Sequence, residues 1–409
     1  MSEIRAFPSG RPPKALAATV ASVPYDVIDT AEARALAAGN AVSFLHVCRP
    51  EIDLPEGTGL YDDAVYAKGR ENLDAFYANG TLVDDPSPKL FVYRQTWRGR
   101  SQDGLVACCS VDDYDRDVIK KHEKTRADKE NDRVKHVLTQ SAHAEPVFLT
   151  YRADAGIDAL VAAVTEAAPE FDFVAPDGVG HTLWIVPDDG AAALVEAFRG
   201  IPMLYVADGH HRCASASRAR AAVAAKIGPL AADHPANWFP ATIFPDAALR
   251  ILPYNRLVKD LNGREPEAFL EEIRKQFAVA PDAGPEPRRK GDVRMYLGGA
   301  WYGLTPLLPV DEKDPISSLD VSVLQDRLLA PVLGIGDPRT DKRIDFLGGI
   351  RGTDELVKRV DSGDFAVAFS MYETTLAELM AIADAGATMP PKSTWFEPKL
   401  RSGLFVHRF

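Results

Sequence analysis

The chain has 409 residues, an apolar fraction of 46% and a formal charge of −12. It is long enough to bury one large or two medium cores, so disorder is excluded as the default, and the acidic balance disfavours nucleic acid or an anionic membrane as partner. The four cysteines (Cys48, Cys108, Cys109, Cys213) match neither a zinc spacing nor a disulfide framework. With no secretory pattern at the N-terminus and no membrane-spanning run, a soluble, cytoplasmic protein is expected.

Residues 1–30 read as Pro-rich and irregular, ending in Ser22-Val-Pro-Tyr-Asp-Val-Ile-Asp. A helix capped at Asp29 and closed by Gly39 follows, then a strand over 43–47 and an amphipathic helix over 61–77. Residues 90–97 and 104–111 read as a hairpin across the polar stretch 98–103. The segment 114–138 is densely charged. It reads either as a solvated helix or as an approach that presents His122, Glu123 and Thr125, with apolar positions resuming at Val134, Val137 and Leu138. On the second reading Glu123 is a candidate base, and Lys129 and Arg133 are candidate anion contacts.

Strands are expected over 146–151 and 181–186, with helices over 156–167 and 191–198. The apolar run Met203–Val206 then reads as a buried strand and the Ala-rich segment 212–227 as a helix. Between them Asp208, Gly209, His210, His211 and Arg212 form a turn that aims the free N–H groups of the helix at a phosphate-sized ligand. Gly209 permits close backbone approach, Arg212 can fork onto phosphate oxygens, and Asp208 offers hard oxygens to Mg2+. The two imidazoles bring donors or acceptors that titrate near neutral pH. The plain alternative is a capped turn with no ligand.

Residues 238–245 read as a strand, 252–256 as a loop, 267–277 as a helix, and 292–296 with 301–304 as a hairpin after the Pro/Gly/Arg-rich connection 281–291. Helices over 320–333 and 375–385 flank an alternating strand at 365–372. The closing stretch Met389-Pro-Pro-Lys-Ser-Thr-Trp-Phe-Glu-Pro-Lys is stiffened by prolines, and Lys392, Ser393, Thr394, Lys399 and Arg401 can meet an anion. It reads as a segment that completes a ligand site, or as a terminal strand with basic surface residues. The whole is expected to be α/β (α+β) around one mixed sheet, a single large domain over 1–409. A subdivision into a core at 1–280 and a closing part at 292–409 is the second option.

Four motifs in this order, Val23-Pro-Tyr-Asp-Val-Ile, His122-Glu-Lys-Thr, Ala207-Asp-Gly-His-His-Arg and Pro390-Pro-Lys-Ser-Thr-Trp-Phe-Glu-Pro-Lys, resemble the prokaryotic family called domain of unknown function 1015. That family looks like an enlarged relative of the ParB/sulfiredoxin-like superfamily, whose free serine kinases carry the Asp-Gly-His-His-Arg element. The resemblance implies a ParB/sulfiredoxin-like nucleotide-binding core enlarged by insertions, with Asp208 as the metal ligand and Gly209, His210, His211 and Arg212 around the phosphates. Lys392, Ser393, Thr394 and Lys399 are the further nucleotide contacts.

The implied activity is phosphoryl transfer from ATP or ADP to a hydroxyl of a small metabolite, free serine first, with Glu123, His211 and Asp208 catalytic and Asp26 the alternative base. The partners are thus a nucleotide and a small-molecule substrate. Sulfinic-acid reduction is not implied, because the sulfiredoxin cysteine position is occupied here by His210. A non-catalytic nucleotide sensor and a metal-dependent phosphohydrolase or nuclease remain the other classes. Nothing in the sequence sets the oligomeric state.

Overall fold

The apolar runs of the first 250 residues pair into one nine-stranded sheet in the computed structural model, which describes residues 1–409. Its strands are β1 (Ile4–Arg5), β2 (Phe91–Trp97), β3 (Arg100–Ser110), β4 (Ile119–Lys120), β5 (Val147–Tyr151), β6 (Phe171–Val174), β7 (Gly180–Ile185), β8 (Leu204–Asp208) and β9 (Trp238–Pro245). Their order is β4-β8-β5-β9-β3-β2-β7-β6, with β1 added beside β3. Pairing is parallel for β8 with β4 and for β9 with β5, and antiparallel elsewhere, so the sheet is mixed. Strands β5 and β9 are buried along most of their length, as central strands covered on both faces must be.

The helices of eight residues or more in this part are α1 (Thr30–Ala37), α2 (Asp63–Ala78), α3 (Ala127–Gln140), α4 (Ala155–Thr165), α5 (Asp188–Arg199) and α6 (His210–Ile227). Helix α1 starts in the expected way: the Asp29 side chain accepts from the Glu32 N–H and Glu32 reaches back, a capping box. The sheet core joins Leu149, Val206, Phe198, Phe239 and Ile243. A second cluster gathers Phe44, Val47, Leu73, Phe76 and Val406.

The contacts divide the chain into two units, Met1–Leu249 with Pro398–Phe409, and Arg250–Glu397. The last twelve residues rejoin the first unit by bridges from Ser402 to Ser22 and from Val406 to Gly10, and His407 pairs with His143. The second unit has its own six-stranded antiparallel sheet. Its strands are β10 (Tyr254–Val258), β11 (Phe277–Ala280), β12 (Val293–Leu297), β13 (Ala300–Pro306), β14 (Ile344–Gly348) and β15 (Val367–Ser370), in the order β11-β13-β12-β15-β10-β14. Helices α7 (Pro266–Arg274), α8 (Asp354–Asp361) and α9 (Leu376–Asp384) accompany it.

Three local expectations are overturned. Residues 43–47 are not a strand: Leu45–Cys48 is a helical turn started by the Ser43 hydroxyl, which accepts from the Leu45 N–H. Residues 252–256 are not a loop, because Tyr254–Val258 pairs on both edges with β14 and β15 despite Pro253. The 90–111 hairpin turns on two residues, not six, since Arg98 (φ 50°) and Gly99 (φ 74°) both adopt the left-handed conformation a tight hairpin requires. No helix is long and apolar enough to cross a membrane.

Candidate functional site

The expected five-residue turn is a single residue. Strand β8 continues through Asp208 and α6 begins at His210, so Gly209 alone is the N-cap, with φ at 100° and no side-chain cap. That conformation is open to glycine and costs other residues strain. A Cβ at Gly209 would also lie 2.8 Å from Arg212 Nε. The pairing of β8 with β5 shifts register between Val206 and Asp208, a bulge next to the turn. The strand thus delivers Asp208 to the open end of an eighteen-residue helix whose first N–H groups have no intrahelical partner.

Two cations bracket the Asp208 carboxylate: Lys399 Nζ at 3.2 Å and Arg212 Nη2 at 3.7 Å. Burial alone would raise its pKa, but these two charges outweigh it and hold the group well below the ordinary carboxylate range. Arg212 is itself buried. It donates to the Pro146 carbonyl, its Nε has no hydrogen-bond partner, and the surrounding acids keep it charged against the cost of burial.

Behind Arg212 lies a buried ionic network that the sequence reading did not contain. Glu145, whose side chain is 7% exposed, accepts from Ser402 Oγ at 2.7 Å and from the Tyr25 N–H at 3.4 Å. Arg133 lies 3.8 Å from Glu145, binds Asp132 at 2.7 Å and stacks on the Tyr25 ring at 3.9 Å. Asp132 also receives the Tyr66 hydroxyl at 2.9 Å. Helix α3 therefore buries Asp132, Arg133, His136 and Gln140, while Val134, Val137 and Leu138 are only half-buried. The solvated-helix reading fails on this face. A spacing of four between Asp132, His136 and Gln140 was the available signal, because it puts three polar groups on one stripe.

Arg133, expected as an anion contact, is instead buried and already engaged by Asp132 and Glu145. Lys129 stays at the surface, 3.1 Å from the Tyr61 hydroxyl. The space among Arg133, Glu145, Arg212 and His136 is about 30 Å3, room for one or two waters and far below what a nucleotide needs.

Glu123 sits on the connection between β4 and α3, 55% exposed, with Oε2 4.0 Å from His210 Nδ1. Thr125 is engaged by Glu130. The Asp26 carboxylate is exposed, and its charge acts on both His211 and Arg212.

The histidines differ from the sequence expectation. Both belong to the first turn of α6, and burial lowers their pKa values, that of His210 well below the usual range. Burial thus disfavours the charged form of both, most strongly at His210. His122, 2% exposed and edge-on to His210 with ring centroids 4.4 Å apart, is pushed down to about 4, also by burial.

Lys392, Ser393 and Thr394 belong to the second unit. Lys392 adopts φ 56° with its ammonium 5.4 Å from the Tyr254 ring, and Ser393 Oγ donates to the Pro390 carbonyl at 2.7 Å. Lys399 belongs to the first unit, at Asp208. Arg401, 5% exposed, is engaged by Asp177 and by His181 Nε2 at 3.0 Å.

No group of three or more His, Cys, Asp or Glu side chains is arranged to hold a metal ion. A single carboxylate between two cations does not suit a resident metal. All four cysteines are buried and free, and burial raises the Cys213 thiol to about 12, so sulfur chemistry at this turn is out of reach.

The sequence from residue 4 to residue 322 matches the family described as a protein of unknown function, DUF1015, and the chain belongs to that family. No curated protein is a significant match. Solved structures similar to this one include free serine kinase in complex with AMP, at 13% identity over 72% of this chain and 86% of that one, TM-score 0.35. A conserved hypothetical protein from Pyrococcus furiosus matches at 14% identity over 73% and 93%, TM-score 0.34. SbnI with a C-terminal truncation, from Staphylococcus aureus, matches at 14% over 71% and 82%, TM-score 0.37. Superpositions of this quality leave the function of the chain to its own residues.

Proposed function

We propose that this protein is a small-molecule kinase that transfers a phosphoryl group from ATP or ADP to the hydroxyl of a small metabolite, with free serine the first candidate. The observation that carries the reading is the one-residue Gly209 turn, which sets the uncapped N-terminus of α6 beside Asp208, Lys399 and Arg212. Backbone N–H groups at a helix start, with cations alongside, are what nucleotide phosphates require. Phosphoryl transfer asks the protein mainly for positioning and charge neutralisation.

In this reading the N–H groups of His210, His211 and Arg212 receive the phosphate oxygens, and Lys399 neutralises charge on the transferred group. Magnesium held at Asp208 would supply further neutralisation across the phosphates. Glu123 accepts the proton of the acceptor hydroxyl as its oxygen bonds to phosphorus and the bond from phosphorus to the leaving nucleotide oxygen breaks. Asp26, whose charge reaches His211 and Arg212, is the alternative proton acceptor. The ParB/sulfiredoxin-like ancestry of the core belongs to the same proposal and rests on the Asp208–Arg212 motif.

The test is acceptor-dependent consumption of ATP or ADP by the purified protein, with magnesium, over a panel of hydroxy amino acids and hydroxy acids. Turnover with one acceptor supports the kinase. Nucleotide binding without turnover would mark a sensor, and phosphate release without an acceptor would mark a hydrolase.

A further inference from the structure

The side chains of His210 and His211 face away from the role that their place in the turn suggests. Two hydrogen bonds define it. His210 Nε2 accepts the backbone N–H of His122 at 3.4 Å, and His211 Nε2 accepts the backbone N–H of Arg126 at 3.1 Å. These two donors bracket Glu123 on a connection with no regular structure of its own.

We propose that His210 and His211 are positioning residues: their imidazoles pin the loop on either side of Glu123 to the first turn of α6, leaving only their backbone N–H groups for a phosphate. The inference rests on the reading of Glu123 as the base.

A ring nitrogen that accepts an N–H cannot carry a proton, since two N–H groups would then meet head-on. Each imidazole, when neutral, therefore has its proton on Nδ1, the tautomer being set by the bond the other nitrogen makes. For His210 that proton faces the Glu123 carboxylate, 4.0 Å away, a contact that a bound substrate can tighten. His122 contributes through its backbone N–H and through the packing of its buried ring on that of His210.

The geometry also bears on hydrolysis. Both Nε2 atoms are already acceptors, so neither can ligate a water-activating metal without releasing the Glu123 loop.

Nitrogen-15 spectra of histidine-labelled protein at neutral pH test the clamp without any assay of activity. The expected result is protonated Nδ1 and bare Nε2 at both residues. Amide hydrogen exchange and kinetics of His211→Leu and His211→Gln complete the test, because the glutamine Oε1 can stand in for the Nε2 acceptor. His211→Leu should speed exchange at Arg126 at least about tenfold and lower kcat by roughly 10–100-fold, with nucleotide KM within a few-fold. His211→Gln should recover most of both losses. Imidazolium or Nε2–H signals at these residues would overturn the clamp, as would a leucine variant that raised nucleotide KM with kcat intact. Should no acceptor turn over at all, the tautomers and the Arg126 exchange rate still decide the clamp, and only the reading of Glu123 falls.

Discussion

The two units bury charge in different ways. In the first, His122, Asp132, Arg133, His136, His143, His181, His210, Arg212, Arg401 and His407 all lie inside, whereas among the acidic and basic side chains of the second only Arg256 and Asp292 are fully buried and Asp320 is half-buried. All nine histidines are in the first unit. Taking a charge or an imidazole out of water is costly unless its partners are in place. A core whose only task is stability has no need of that cost, and the second unit, with Leu257, Tyr296, Leu347, Leu356, Phe365 and Ala368 packed together, largely avoids it. The first unit accepts it in several places, among them the network of Glu145, Arg133 and Arg212 behind the Gly209 turn.

Acid should separate the units most strongly. Burial sets His122 and His407 near 4 and His143 and His181 near 3 in the folded state, below an unfolded value of about 6.5. Their contribution is complete above about pH 6.5 and is lost as pH falls toward the folded values. His122 alone accounts for on the order of 3 kcal/mol across that window. His46, raised chiefly by its hydrogen bond to Asp53, opposes the trend weakly. In the second unit Asp320, lifted to about 6 by burial, gains stability over the same descent. Residue-resolved hydrogen exchange from pH 7 to pH 4 should show protection lost first in β5, β8 and β9. Loss that began in β10, β12 and β15 would reverse the comparison.

Removing a partner inside the network comes next. Glu145→Leu takes away the carboxylate between Arg133 and Arg212, leaves them only Asp132 and Asp208, and should cost about 3–5 kcal/mol in a denaturant titration. Arg256 donates to two carbonyls and has no acid partner, and burial lowers it to about 10. Arg256→Met should cost no more than about 1–3 kcal/mol, the price of two unpaired carbonyls. Equal losses would mean that the two units bury charge on the same terms.

Much of this was legible in the sequence. The helix starts at Asp29 and Thr375 follow from side chains that cap locally, and in the structure both are completed as capping boxes by Glu32 and Glu378. The Gly209 turn was legible as well, though its length was not, because a helix can begin on histidine once glycine supplies the cap. The network was hidden. Tyr25, Arg133, Glu145 and Ser402 come together only through the sheet and the return of the C-terminus, and no local pattern encodes separations of that size. The charged character of α3 suggested solvent, yet it is the polar stripe of that helix that turns inward.

Two substitutions sharpen the chemistry on the first unit's side. Glu123→Gln should lower acceptor-dependent kcat by roughly two orders of magnitude or more, about 3 kcal/mol of barrier, with nucleotide affinity within a few-fold. An unchanged kcat, with Asp26→Asn inactive instead, would move the base to Asp26. Lys399→Ala should weaken nucleotide binding by about 1.5–3 kcal/mol, as loss of one charge-assisted bond does, and calorimetry reads it directly. Unaltered affinity would make Lys399 a structural partner of Asp208 alone.

The central claim is that the Gly209 turn receives nucleotide phosphates. Calorimetric titration of ADP and ATP, with magnesium, into the wild-type protein and into Gly209→Ala tests it most directly. The added methyl would strain a residue at φ 100° and press on Arg212 at the mouth of the helix. Binding to the wild type is expected, with at least about a tenfold loss in the variant and the fold retained by circular dichroism. Nucleotide binding of equal strength in both proteins, or in neither, would contradict it.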